Sequence, residues 1–304
     1  MEEQQLDRAL RECEAELAAL GLTVPEILGD EQDPIAVLVA QLQDGTEEGK
    51  RKAARALGNL AANKDNRVYI VAAGAIPLLI ALLRDGTEEG KEAAALVLHN
   101  LANNADNQVS IAAAGAIPLL IALLRDGADT GKERAAATLR NLTHSNADNN
   151  VTIAAAGAIP LLISLLRDGT EEGKETAANA LSELAVNADN KIAIAGAIPL
   201  LIAQLRDGDA DEISSAAHTL EMLCVDNADN QVAIAAAGAI PLLLVLLRYG
   251  DAEGRENAAL ALRVLIHNAD NAATLKREGY KAVSHAAQYG FKPCQEILSV
   301  LDQL

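Results

Sequence analysis

The stretch Gly115-Ala-Ile-Pro-Leu-Leu-Ile-Ala-Leu-Leu124 decides how the rest of the chain is organised. Its first six residues also begin at Gly74, Gly157, Gly196 and Gly238, at intervals of 41, 42, 39 and 42 residues. A degenerate copy, Asp33-Pro34-Ile35, precedes them, Pro34 lying 43 residues before Pro77. A worn copy, Glu278-Gly279-Tyr280, follows 41 residues after Gly238. Self-similarity at such a period marks a solenoid, in which each unit buries its apolar face against its neighbours. Six units are expected, at about 33–73, 74–114, 115–156, 157–195, 196–237 and 238–278. Residues 1–32 and 279–304 are then helical caps.

Each unit has the same internal grammar. Ile117 to Leu124 forms a short, almost wholly apolar helix, and Pro118 is tolerated in its first turn because an amide there needs no intrahelical partner. Arg125-Asp126-Gly127 ends it, glycine being expected to supply a left-handed turn. A longer amphipathic helix follows from about Gly131 to Thr143; sister units open it with Thr-Glu-Glu at Thr87 and Thr170, a hydroxyl cap with carboxylates at the positive helix end. Asn104-Ala-Asp-Asn107 then breaks the chain and offers Asp106 as a cap for a third short helix, Gln108 to Ala114. The ends suit the caps: Leu6, Leu10, Leu17 and Leu20 make an amphipathic stretch, and Tyr280, Tyr289 and Phe291 bring bulk to a face without a further neighbour.

Composition narrows the function. Half the residues are hydrophobic but only 2 % are aromatic, with no Trp and one Phe, so the core is aliphatic. A net charge of −18 repels phosphate backbones and anionic headgroups, which leaves a neutral or cationic polypeptide as the expected partner, not nucleic acid or membrane. The same acidity also keeps a long apolar-cored rod soluble. No uninterrupted apolar run of membrane length stands out. Cys13, Cys224 and Cys294 are sparse and unpaired in spacing, and Met1 to Asp30 lacks an apolar leader, so a reducing cytoplasmic or nuclear setting is expected.

Three helices per unit, a period near 42 and the recurring Gly-Ala-Ile-Pro-Leu-Leu signature resemble the armadillo repeat family. The resemblance covers about four-fifths of the chain and implies an all-α, right-handed solenoid whose third helix lines a concave groove. Near-identical repeats are also what a consensus-designed or recently duplicated array has.

The long helices can be registered on their Leu-x-Asn-Leu endings, taking the Asn as position zero. Asn59, Asn100 and Asn141 occupy it in the first three units, and Glu183, Met222 and Val264 in the last three. Leu at −2 and +1 and Ala at −5 and −6 define the buried stripe; −8, −7, −4, zero and +3 are expected on the opposite, groove face. An Asn amide offers a donor and an acceptor side by side, matching an extended peptide backbone. In armadillo importins and catenins this Asn is partnered by a Trp four residues earlier; here that position holds Arg55, Leu96, Ala137, Asn179, His218 and Leu260. The missing Trp walls argue against importin-like recognition of a nuclear localisation signal. Arg51, Lys52, Arg55, Glu92, Glu133 and Arg134 mix charge on the first half of the face, whereas Glu175, Glu183 and Glu256 make the second half acidic. The Asn positions also admit a plainer reading, as surface polar residues copied with the repeat.

Catalysis is not expected. His99, His144, His218, His267 and His285 are scattered along the array, and no metal-ligand spacing, nucleophile triad or phosphate-cradling glycine motif occurs, so neither enzyme activity nor a cofactor is anticipated. The sequence favours a scaffold that binds extended, neutral-to-basic polypeptide, with a spacer or self-association module as the alternative.

Overall fold

In a computed structural model the described residues are 33–288 and 290–304. The expected N-terminal cap and Tyr289 lie outside them. Contacts divide the chain into two compact units at Ala156/Gly157. The first contains α1 (Pro34–Asp44), α2 (Glu47–Ala62), α3 (Lys64–Ala72), α4 (Ala75–Asp85), α5 (Glu88–Leu101), α6 (Ala105–Ala113), α7 (Ala116–Asp126), α8 (Asp129–Thr143) and α9 (Ala147–Ala155). The second contains α10 (Ala158–Asp168), α11 (Glu171–Leu184), α12 (Ala188–Ile194), α13 (Ile198–Asp207), α14 (Ala210–Cys224), α15 (Ala228–Ala236), α16 (Ala239–Tyr249), α17 (Ala252–Leu265), α18 (Ala269–Gln288) and α19 (Lys292–Leu301). Within the units the long helices stack side by side, α2 on α5 on α8 and α11 on α14 on α17.

Alanine makes that stacking close. Ala53–Ala54, Ala94–Ala95 and Ala135–Ala136 in the first unit, and Ala177–Ala178, Ala216–Ala217 and Ala258–Ala259 in the second, are fully or almost fully buried. Without bulk at these points, neighbouring helix backbones come within reach of side-chain hydroxyls. Thr138 Oγ1 donates to the Ala95 carbonyl of the preceding long helix at 3.1 Å, and Thr219 Oγ1 to that of Ala178 at 3.0 Å. Leu57, Leu98, Leu181, Leu220 and Leu262 fill the seam beneath, each removed from water to a gain of about 1.5–3 kcal/mol.

Two kinds of glycine punctuate the chain, and the left-handed turn expected at Arg-Asp-Gly belongs to the other kind. Gly74, Gly115, Gly157 and Gly238, which open the signature, take φ of 81° to 90°, where an L side chain would be strained. At Gly74, Gly115 and Gly238 they turn the chain by 79° to 85° between a short linker helix and the apolar helix after it. The glycine of Arg-Asp-Gly is instead extended, with φ −72° at Gly127. It is needed for space: a Cβ there would stand 2.6 Å from the Leu123 carbonyl oxygen.

The breaks between long and linker helices also differ from expectation. The linker helix starts at Ala105, not Gln108, and its cap is Asn104, whose side chain accepts from Asn107 N–H at 3.0 Å, in place of Asp106. The last Asn of the motif turns backward. Its Nδ2 donates to the leucine carbonyl at the end of the preceding long helix, from Asn66 to Leu60, Asn107 to Leu101, Asn149 to Leu142, Asn190 to Leu184, Asn230 to Leu223 and Asn271 to Leu265, at 2.9–3.1 Å. Carbonyls at a helix end lack intrahelical partners; the latch supplies a donor in every repeat, beside a turn N–H at Leu60, Leu101, Leu184 and Leu265.

Unequal repeat lengths have local causes. Where the interval is 42, the additional residue sits between long helix and linker in a left-handed conformation, as Ser145 (φ 56°) and Asp226 (φ 51°). Where it is 39, α12 is seven residues long, against nine in its counterparts. A 3-10 turn at Ala195–Ala197 replaces the left-handed bend, and Gly196 has no positive φ. Residues 188–207 thus run as one helical stretch, long and apolar enough to cross a bilayer by length and composition, contrary to the sequence expectation, and half of it is buried within the protein.

At the C-terminus no break occurs at Glu278-Gly279: α18 runs through it for 20 residues, so the proposed 278/279 boundary falls inside a helix. Tyr280-Lys281 stands here in place of the Ala-Ile-Pro that starts a helix in the other repeats, and the next Pro, Pro293, opens α19. Gly279 serves close packing, since a Cβ would lie 2.6 Å from Leu244 Cδ2 of α16. Tyr280 Oη donates to Asp302 at 2.7 Å, and Arg263 Nη1 to Glu296 at 3.2 Å, tying α19 to the helices before it.

Candidate functional site

In the first unit the register places Arg55 and Asn59 on an exposed face of α2, and Glu92, Asn100, Glu133 and Asn141 half-buried on α5 and α8. Not every assigned position faces out. Ala93, Ser214 and Ser215, at −7 or −8, are buried, and Val264 at position zero is 5 % exposed. Side-by-side stacking explains it, because each helix is covered on two flanks and its open face is narrower than on a lone helix.

The Asn ladder is not simply presented to solvent. Asn100 Nδ2 donates to the Gly58 carbonyl of the preceding long helix at 2.9 Å. Asn141 Nδ2 donates to the equivalent His99 carbonyl at 3.1 Å and stands 3.2 Å from His99 Nδ1. An amide nitrogen carries two hydrogens. Asn100 therefore keeps one N–H and its Oδ1 for an outside group, whereas Asn141, with both N–H bonds directed at His99, keeps only the acceptor. Asn59 also has a partner within the chain. The amides are thus oriented by inter-helix bonds, and truncating one disturbs packing as well as any contact with a ligand.

Electrostatics on this face follow from burial. Burial, offset by a backbone hydrogen bond with Ala137, depresses the His99 pKa and favours the neutral ring, which suits Nδ1 as an acceptor for Asn141. Burial, with Glu88 and Glu89 adding repulsion, raises the Glu92 carboxyl above its usual range, against the pull of Arg134 and Arg55.

In the second unit Asn179 and Glu183 lie half-buried on α11 and His218 on α14. Asn179 Nδ2 reaches Glu175 at 3.5 Å, and His218 Nδ1 stands 3.4 Å from Glu221, itself mostly buried. Sequence reasoning overlooked Glu221, which lies just outside the chosen register, and His99, whose ring and carbonyl hold Asn141. A His at −1 against an Asn at zero one repeat later was the available signal.

The remaining chemistry is quiet. Burial pushes the Cys224 thiol up to about 12 and that of Cys294 to about 11, which keeps both protonated and unreactive. Buried Lys191 donates to the Val225 carbonyl of the next repeat, and burial lowers its pKa. Among the described residues no group of three or more His, Cys, Asp or Glu is placed to hold a metal.

Two stacks of short, long and linker helices in fixed order, with latches at the same place in every repeat, define an α-solenoid. The armadillo/β-catenin-like repeat model matches residues 63–103, 104–144, 146–186 and 227–267, more than half of the sequence, and the chain belongs to that family. No curated protein sequence matches it significantly. Among solved structures it is similar to an engineered protein from a structural genomics programme, at TM-score 0.80 and 27 % identity over 88 % of this chain and 68 % of that one. It is similar also to a designed armadillo repeat protein, at TM-score 0.71 and 28 % identity over 76 % of this chain and 99 % of the other. A further designed armadillo protein, solved in complex with the peptide (KR)4, aligns at TM-score 0.69 and 26 % identity, over 77 % and 100 % of the two chains. The family indicated is a helical scaffold, and no enzymatic family is indicated.

Proposed function

We propose that this chain is a peptide-binding scaffold that takes an extended, neutral-to-basic polypeptide along the open faces of its long helices. The observation that carries the preference is the face of the second unit, where Glu175, Glu183 and Glu256 stand at groove positions without a Lys or Arg. The likeness to a design that binds (KR)4 supports the same polarity. In the first unit Asn100 supplies a donor and an acceptor already held in place, while Asn141 adds an acceptor.

The test is fluorescence anisotropy with labelled (KR)4, (GS)4 and (DE)4 peptides. Binding in the order basic, neutral, acidic is expected, with the basic peptide weakening as salt rises. Glu183→Gln should weaken (KR)4 and leave (GS)4 unchanged; Asn100→Ala should weaken both. Failure of all three peptides to bind at millimolar protein would refute the reading.

A row of exposed β-branched residues favours a second reading, assembly. Val68, Val109 and Val151 occupy one position of the linker helices in the first unit, 54–67 % exposed, and Ile192 and Val232 repeat it in the second. Concentration-dependent oligomers in light scattering, lost when these valines become Ser, would select it.

A further inference from the structure

The same inter-repeat crevice occurs in both units, balanced in charge in the first and cationic in the second. In the first it measures 320 Å3 and is lined by Leu83, Arg84, Glu88, Lys91, Leu119 and Asp126 among others, two cations balanced by two carboxylates. In the second it measures 550 Å3, and its polar lining is Arg248, Tyr249, Arg255, Lys281 and His285, with no carboxylate.

The change can be traced residue by residue. Arg248 and Arg255 hold the repeat positions of Arg84 and Lys91. Tyr249 stands where Asp85, Asp126, Asp168 and Asp207 stand in the other units, and Ala252 where Glu88 stands. From the facing side, α18 supplies Lys281 and His285 where α7 supplies Asp126 to the first crevice. In a chain of net charge −18, the crevice has therefore lost both acids and gained a cation, Lys281. Among the described residues Arg248, Arg255 and Lys281 form no ion pair. Arg248 lies 5.2 Å from the Tyr249 ring centroid, and Arg255 lies 5.8 Å from that of Phe291 while its Nε donates to the Asp251 carbonyl at 3.2 Å. The nearby Asp251 carboxylate is occupied as a helix cap, accepting from Gly254 N–H at 2.8 Å.

We propose that this crevice is a binding site for a small organic anion, a phosphate monoester or carboxylate carried on an apolar body. The anionic group sits among Arg248, Arg255 and Lys281, and the body lies against Leu247, Ala286 and the Phe291 ring. Its volume falls in the ordinary range of small-ligand sites, about 300–1,000 Å3. An arginine fork suits either head group, and unpaired cations near apolar walls hold an anion more strongly than cations in open water.

The test is NMR titration of the full chain with phenyl phosphate, phenylacetate and, as the neutral control, benzyl alcohol. One or both anions should bind and benzyl alcohol should be at least about tenfold weaker, as expected for loss of charge-assisted bonds; the tighter anion identifies the head group. Lys281→Gln, which breaks no internal bond, and Arg255→Gln should each weaken the anion about tenfold. Arg206→Gln, an exposed cation outside the crevice, should change nothing. Equal binding of the neutral control, or wild-type affinity in Lys281→Gln, would overturn the assignment, as would an equal loss in Arg206→Gln.

Discussion

Asn149→Ala probes the latch that joins long helix to linker helix. In the wild type Asn149 is 6 % exposed and its Nδ2 donates at 2.9 Å to the carbonyl of Leu142, which is fully buried. Removing the amide loses one hydrogen bond and leaves a carbonyl without a partner where water cannot readily replace it. Such a change costs about 1–3 kcal/mol, more than the net worth of the bond itself. Asn107→Ala breaks the equivalent bond at 3.0 Å, but the Leu101 carbonyl still accepts from Asn104 N–H at 3.2 Å, so the loss should be nearer the lower end. Asn149→Asp adds a sign. A carboxylate facing the Leu142 oxygen is repelled, so the folded pKa of the new acid lies above its unfolded value near 3.9. The acid is then tolerated below that unfolded value and becomes more destabilising, relative to Asn, as pH rises through the folded pKa. Urea unfolding followed by circular dichroism, run at acid and neutral pH and referred to wild type at each, measures all three. If Asn149→Ala costs less than about 0.5 kcal/mol, below the usual cost of an orphaned buried carbonyl, the latch is not what secures the joint.

Other outcomes follow from single features. Thr87→Ala removes the cap that accepts from Gly90 N–H at 3.2 Å and should cost about 0.5–2 kcal/mol in the same assay. Ala128→Thr restores the residue found at the caps of α2, α5 and α11 and should stabilise, although Glu88 already accepts from the Ala128 N–H at 2.7 Å. Gly115→Ala should destabilise by about 1–2 kcal/mol because φ is +85° there, while Gly196→Ala, free of positive φ and meeting only Ile163 Cδ1 at 4.0 Å, should be neutral or stabilising. The depressed His99 pKa means that the unfolded chain takes up a proton first as pH falls below about 6.5. The stability that His99 contributes should therefore hold above that value and decline below it, and NMR should show its ring titrating below the ordinary histidine range. Cys224 and Cys294 should resist thiol reagents at pH 8 until the chain is unfolded, as read by absorbance of the released thiolate.

The sequence carried the helices and their register because a period near 42 repeats one physical pattern: apolar helix, alanine-seamed helix, linker. It was weaker where one residue type can serve two purposes. Glycine was expected to turn the chain at Gly127 and to mark a repeat boundary at Gly279, yet both are small for the sake of a neighbour, Leu123 in one case and Leu244 in the other. The motif Asn-Ala-Asp-Asn offers three side chains able to cap a helix, and only three-dimensional structure separates the cap, Asn104, from the latch, Asn107. Position zero was placed from a single-helix projection, which cannot register that stacked helices cover Val264 or that the Asn141 amide is turned toward His99. The crevice among Arg248, Arg255 and Lys281 escaped notice because its residues come from three helices, and its signal was an absence, the missing Asp before Gly250.

The hydrogen bonds described above fall into two populations with different thermodynamic meaning. Each Asn latch closes mostly on its own repeat, so it raises the intrinsic stability of that repeat. The bonds from Asn100 to Gly58, Asn141 to His99 and Thr138 to Ala95 run from one repeat to the one before, so they enter the nearest-neighbour coupling. In a one-dimensional array the ratio of these two energies sets how many repeats melt together. Mutations in the latch should lower the midpoint of unfolding and keep it sharp, whereas mutations in the Asn100, Asn141 and Thr138 set should broaden it, letting single repeats of the first unit open on their own.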